Sequence, residues 1–166
     1  MNHRNLPATI GVALALAGLA ACSRSAPENL PIAPGVAQTD DYSGPRPGSR
    51  ADFIAQAGSD TVYFDTDSQE LDMESRAILD AQAVWLLANP NVRVTVEGHC
   101  DERGTREYNL ALGERRANSA SNYLAARGVS PSRMTVISYG KERPVALGSD
   151  PESWSQNRRA VTVVPL

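Results

Sequence analysis

Residues 92–128, VRVTVEGHCDERGTREYNLALGERRANSASNYLAARG, decide the fold. Val92 to Glu97 alternates apolar and polar residues with period two, the mark of a half-buried strand. The strand runs into Gly98-His99-Cys100-Asp101. From about Thr105 to Arg127 the pattern becomes that of a long helix, closed at its C-terminus by Gly128. A strand feeding a long helix through a short polar loop predicts an α/β unit.

The flanking segments extend that alternation. Upstream, Thr61-Val62-Tyr63-Phe64 reads as a short strand, and a helix is expected from an Asp72 N-cap to Asn89-Pro90, with Leu71, Ile78 and Trp85 recurring every seven residues. Arg50 to Ala57 predicts a helical turn. Downstream, Met134 to Ser138 reads as a third strand, Tyr139-Gly140 as a turn, Asp150 to Asn157 as a short helix and Ala160 to Val164 as the closing strand. Phe64 is assigned to the core.

The chain has 166 residues, a formal charge of −3 and 42% hydrophobic residues, which suits one modest domain with extensions. Lys and Arg number 16 against 19 for Asp and Glu, and without a basic block there is no electrostatic footprint for nucleic acid. Two cysteines, Cys22 and Cys100, are too few for a disulfide framework or a four-ligand zinc site.

The amino end carries a short positive region, then an apolar run from Ile10 to Ala21. A membrane-spanning helix needs about 20 apolar residues, so this shorter run predicts a cleaved signal over residues 1–21. Leu19-Ala20-Ala21-Cys22 resembles the bacterial lipobox, which implies lipidation of Cys22 and, with Ser23 after it, sorting to the outer membrane. Several acyl chains hold durably where a single one anchors only marginally. Residues 22–50 form the lipidated end and a linker rich in Pro, Gly and Ser, including Pro27, Pro31, Pro34, Pro45 and Pro47. As a flexible chain of about 27 residues it would average roughly 30 Å end to end, and about 90 Å fully stretched. The folded domain is expected over residues 51–166.

The long helix holds polar residues on an apolar face. At about 100° per residue, Leu112, Arg116, Ala120 and Tyr123 all fall within about 60° of Asn109, whereas Glu107, Glu114 and Arg115 project elsewhere. A guanidinium in an apolar stripe is costly unless an anion and hydrogen bonds satisfy it. Asp101, in the loop entering the helix, is one such anion. An internal Asp101–Arg116 bridge and a ligand pocket built from the same pair both fit the pattern.

His99-Cys100-Asp101 suggests catalysis, but adjacent strand residues point to opposite faces, which separates His99 from Cys100. His99 is the only histidine after the signal, so no metal site is expected, and no cofactor. Cys100 reads as a small buried thiol. The Gly-x-Ser-x-Gly, Walker and His-Glu-x-x-His patterns are all missing from the sequence.

Val94 to Thr105, Tyr108-Asn109 and Leu112 to Asn118 together resemble the OmpA-like peptidoglycan-binding domain family. Tyr63-Phe64-Asp65, Ser138 to Pro144 and Asn157 to Val161 match it in order. The resemblance implies a βαβαβ-type α/β sandwich, with a mixed four-stranded sheet packed by helices on one side. It also implies a non-enzymatic tether: acyl chains in the outer membrane, and a periplasmic domain holding the diaminopimelate side chain of the peptidoglycan stem peptide.

By motif position, Asp101 would take the ammonium of that side chain and Arg116 its carboxylate, as a bidentate fork. Asn109 and Leu112 would complete the pocket. Asp65 and Asp67 would meet the peptide or form a turn, and Arg158 would add a cation. The family's lipoproteins further imply TolB and the other Tol-Pal components as partners, in envelope integrity and cell division. Two positions depart from the family pattern. Cys100 stands where Thr or Ala is commoner, leaving a thiol open to oxidation, and Gly113 replaces the Ser of many members. The alternatives are a lipid-anchored peptidoglycan hydrolase using Asp101 or Asp65, and a structural lipoprotein with no ligand.

Overall fold

The computed structural model describes residues 44–165. Cys22, the signal-like segment and residues 22–43 of the Pro-rich stretch lie outside the described residues. Along the chain come α1 (Arg50–Ala57), β1 (Thr61–Tyr63), α2 (Met73–Ala88), β2 (Val94–His99), α3 (Arg106–Ala126), a 3₁₀ turn (Pro131–Arg133), β3 (Met134–Gly140), α4 (Pro151–Asn157) and β4 (Arg159–Val163). The strands form one sheet in the order β1-β4-β2-β3. Only β2 and β3 are parallel, Val94 opposite Met134, and α3 supplies the long crossover that a parallel pair requires. Strand β4 runs antiparallel to both β1 and β2, so the sheet is mixed as expected.

Alternation sets the two faces. Val94, Val96, Ala160 and Val164 are buried with Leu79, Leu86, Ala117, Ala120 and Leu124 of α2 and α3, while Thr95, Glu97, Val161 and Val163 on the other face stay partly exposed. The helices therefore cover one side of the sheet. In α2 the buried positions are Ser75, Leu79, Gln82, Ala83, Trp85 and Leu86, so of the seven-residue series only Trp85 is buried. Leu71 and Ile78 pack at the edge of the core. Gln82 is wholly buried yet satisfied, donating to Ser59 O (3.0 Å) and accepting from the Thr162 hydroxyl (2.7 Å).

The helix ends follow from local chemistry. The Asp72 carboxylate accepts from Ser75 N (2.7 Å), and the Thr105 hydroxyl from Tyr108 N (3.2 Å). After α3, Gly128 takes φ 102°, Gly128 N donates to Ala125 O and Val129 N to Leu124 O. This is a Schellman ending, and Val129 and Leu124 both lie in the core.

One expectation is extended and another corrected. Arg50–Ala57 is a helix of two turns capped by Ser49, because Phe53 finds Trp85 at 4.9 Å between ring centroids and Asp52 accepts from the Trp85 indole N–H (3.1 Å). Tyr139-Gly140 belongs to β3 and is no turn: the strand continues opposite His99 after a register shift at Gly98/His99, and Gly140 O accepts from Cys100 N (2.8 Å).

One contact brings α3 close enough to β2 to build a site. Gly98 and Gly113 face each other, and a Cβ on Gly98 would collide with the Gly113 carbonyl. At Gly113 a Cβ would run into the Ser138 hydroxyl, which is held by Leu110 O (2.7 Å). The family's Ser has no room here.

Candidate ligand-binding site

A cavity of about 300 Å³ opens where the β2–α3 loop meets the first turns of α3 and the segment after β1. Asp67, Asp101, Asn109, Leu112 and Arg116 line it, so five of the seven site residues expected from the sequence converge there. Asp65 and Arg158 line a neighbouring cavity of about 400 Å³ with Tyr63, Glu70 and Gln156. The Arg158 guanidinium nevertheless reaches towards the first, with Nη1 3.6 Å from Asp101 Oδ2.

Arg116 is wholly buried on the apolar face of α3, but it does not bridge to Asp101. Its Nε donates to Ser68 O (2.8 Å), Nη1 to His99 O (2.9 Å) and to Cys100 Sγ (3.4 Å), and Nη2 to Asp65 O (3.0 Å). The guanidinium also lies 5.3 Å from the Phe64 ring centroid. Backbone carbonyls satisfy it where a carboxylate was expected. Burial lowers its pKa, with the nearby Arg158 charge acting in the same direction, but a guanidinium stays charged. Of its five N–H groups four are engaged, which leaves one on Nη2 in place of the bidentate fork expected from the sequence.

Asp101 is held differently. Its Oδ1 accepts from Arg103 N and Arg103 Nε (both 3.1 Å), and its Oδ2 from Arg103 Nη2 (2.7 Å). Burial pushes this carboxyl up, but the Arg103 hydrogen bonds and the charges of Arg103 and Arg158 outweigh it and hold it below the usual carboxylate value. Asp101 is therefore ionised, and its present partner is a side chain.

Asn109 secures the loop between them. Its amide donates to Arg103 O (2.7 Å) and Thr105 O (3.1 Å). Asp67 occupies the left-handed region at φ 54° and accepts from the Tyr108 hydroxyl, so its turn role and its place at the cavity wall coexist. The side chain of Asp65 is exposed, and its carbonyl is the group that reaches Arg116.

Cys100 and His99 separate as expected. The Cys100 thiol is buried, donates to Asn109 O (3.3 Å) and has its pKa raised by burial, which makes it less open to oxidation than its sequence context suggests. His99 stacks on Tyr139 at 5.6 Å, with neither ring nitrogen hydrogen-bonded. Burial, then the charges of Arg159 and Arg143, lower its pKa from 6.5 to about 4. Glu97 Oε2 lies 3.5 Å from His99 Nε2 without forming a hydrogen bond, and does not reverse that shift. Among the described residues, no group of three or more His, Cys, Asp or Glu side chains is placed to hold a metal ion. No described helix is long and apolar enough to cross a membrane.

The sequence reading missed Arg103, Tyr108 and Thr66 as lining residues. An Asp-x-Arg spacing was available as a signal for Arg103. Nothing local pointed to Thr66, which reaches the cavity only through the fold.

Comparison with known proteins places these residues in a wider set. The sequence model described as the OmpA family matches residues 63–158. A peptidoglycan-associated lipoprotein of Agrobacterium fabrum is 51% identical over 158 residues, covering 95% of this chain and 87% of that protein. One from Pseudomonas putida is 46% identical over 151 residues, 89% of this chain and 90% of its own length. Among solved structures, the peptidoglycan-associated lipoprotein from Burkholderia pseudomallei superposes with a TM-score of 0.64 at 44% identity, over 65% of this chain and 92% of that one. The C-terminal domain of Helicobacter pylori MotB shares the fold at 21% identity, with a TM-score of 0.59 over 64% of this chain and 84% of its own.

Proposed function

The chain belongs to the OmpA family and, within it, to the peptidoglycan-associated lipoproteins, and on that premise we propose that it is a non-enzymatic outer-membrane lipoprotein that binds peptidoglycan. Lipid on Cys22 anchors one end, the Pro-rich segment spans the gap, and the folded domain in the periplasm holds the wall. The observation that carries this reading is the pairing of a carboxylate, Asp101, with an unspent N–H of a buried guanidinium, Arg116, on one small cavity. That arrangement suits a zwitterionic end group, and the diaminopimelate side chain of a stem peptide has one.

In the proposed complex Asp101 receives the ammonium and Arg116 Nη2 donates to the carboxylate, over a floor made by Leu112 and Asn109. Arg158 and Asp67 flank the pair, and Asp65 contributes through its backbone. The proposal extends to tethering through the Tol-Pal system, with TolB as a partner and a role in envelope integrity and cell division, a reading that the family membership supports.

The hydrolase alternative requires a carboxyl kept protonated near neutral pH. Asp101 is pushed the other way, which favours binding over bond cleavage. Incubation with purified diaminopimelate-type peptidoglycan, followed by sedimentation, tests the reading. Co-sedimentation without soluble fragments is expected. Release of fragments would make the protein a hydrolase, and failure to co-sediment would leave only a structural lipoprotein.

A further inference from the structure

We propose that Arg103 is the specificity-determining residue of this site: an internal counter-ion that holds Asp101 and yields it only to a ligand bringing a carboxylate beside its ammonium. A diaminopimelate-type side chain is then accepted, and a lysine-type side chain, which ends in an ammonium alone, is refused. The inference rests on the reading of the cavity as a stem-peptide site.

Three observations support it. First, both oxygens of Asp101 are occupied by Arg103, at 2.7 Å through Nη2 and 3.1 Å through Nε, in a two-point pair matched in geometry to the guanidinium plane. An incoming ammonium finds one acceptor site on Oδ2 unspent and must compete with Arg103 for the rest.

Second, the loop is held by contacts of its own, while this side chain stands partly in solvent. Lys141 Nζ donates to Glu102 O (3.1 Å) and Gly104 O (2.8 Å), and the Trp154 indole donates to Glu102 Oε1 (3.0 Å). The Arg103 side chain itself is 41% exposed against 9% for Asp101. Its guanidinium lies 4.2 Å from the Trp154 ring centroid, so the indole offers a resting place at the rim once Asp101 is released.

Third, the charges do not favour a lone cation. Asp67 and Asp101 line the cavity together with Arg103 and Arg116, and Arg158 adds a third positive group beside Asp101. An ammonium entering alone adds positive charge and leaves Arg103 without an anion. A ligand that carries its own carboxylate returns one to the arginines, so the exchange conserves ion pairs. Discrimination of this kind comes from the cost imposed on the wrong ligand as much as from contacts to the right one.

Titration calorimetry of the full chain in detergent, with purified diaminopimelate-type and lysine-type muropeptides, tests the proposal. The unaltered protein is expected to prefer the diaminopimelate type by at least about tenfold, and Arg103→Ala to shrink that ratio below about threefold by strengthening the lysine-type complex. Arg103→Lys, which keeps the charge but loses the two-point pair, should give an intermediate ratio, and it serves as the test if the alanine variant does not fold. An unchanged ratio in the variants, or equal weakening of both peptides, overturns the proposal. Equal binding of both peptides by the unaltered protein overturns the selectivity while leaving the wall-binding reading intact. Binding of neither overturns both.

Discussion

Two arginines meet at one cavity and are held in opposite ways. Arg116, on the floor, is wholly buried and donates to carbonyls from two distant segments, the one after β1 and the end of β2. Arg103, at the rim, is partly exposed and bound to one carboxylate. A charge fixed by backbone cannot leave without disturbing the fold, whereas a charge fixed by another side chain can be exchanged for a ligand. The floor therefore serves stability as well as recognition, and the rim recognition alone, although both carry the same functional group.

The sharpest way to break this contrast is Arg116→Ala. Removing it strands the buried carbonyl of His99 and the part-buried carbonyls of Asp65 and Ser68, and a loss of about 3 kcal/mol is expected in urea unfolding, the lower end of the range for breaking buried charged networks. A variant of near-normal stability would show that the carbonyls find other donors. Binding to peptidoglycan is expected to fall together with stability.

The next effect concerns His99, whose carbonyl holds Arg116 and whose ring is buried neutral. With its pKa lowered from 6.5 to about 4, the unfolded chain binds more protons than the native one between those values. Stability present above pH 6.5 thus declines as the pH falls, and below pH 4 the loss is complete, at about 3 kcal/mol. His99→Phe preserves an aromatic ring against Tyr139 and should remove that component, flattening unfolding free energies measured from pH 7 to pH 4. An equal pH slope in the two proteins would refute the assignment.

The smallest stability effect is expected at the rim. Asp101→Asn keeps an acceptor for the half-exposed Arg103 but takes a buried charge from it and from Arg158, and should cost about 1–2 kcal/mol. Its co-sedimentation with peptidoglycan should nevertheless be lost. A large destabilisation with binding retained would reverse the roles assigned to floor and rim.

The elements were legible because their signals are local. Alternation in Val92–Glu97, the cap at Asp72 and the stop at Gly128 depend on near neighbours; the cap and the stop appear as expected, and the strand appears shifted, over Val94–His99. The convergence of Asp101, Asn109, Leu112 and Arg116 was legible too, from the helical period and the family motif. The partner of Arg116 was not. Apart from the Cys100 thiol, its acceptors lie 17, 48 and 51 residues away and are carbonyls, which every residue possesses, so no side-chain pattern could mark them. The search for a carboxylate led to Asp101, which the nearer Arg103 had already taken.

Sequence alone determined that a strand and a long helix would place one anion and one buried cation at the same end of the molecule, because periodicity dictates which side chains share a face. Only the tertiary structure decided that the cation is bound by backbone and the anion by a partly exposed arginine. The reason is geometric. Gly98 and Gly113 let α3 approach β2, which brings Arg116 among the carbonyls of His99, Asp65 and Ser68, and such a meeting of distant segments leaves no trace in either one alone.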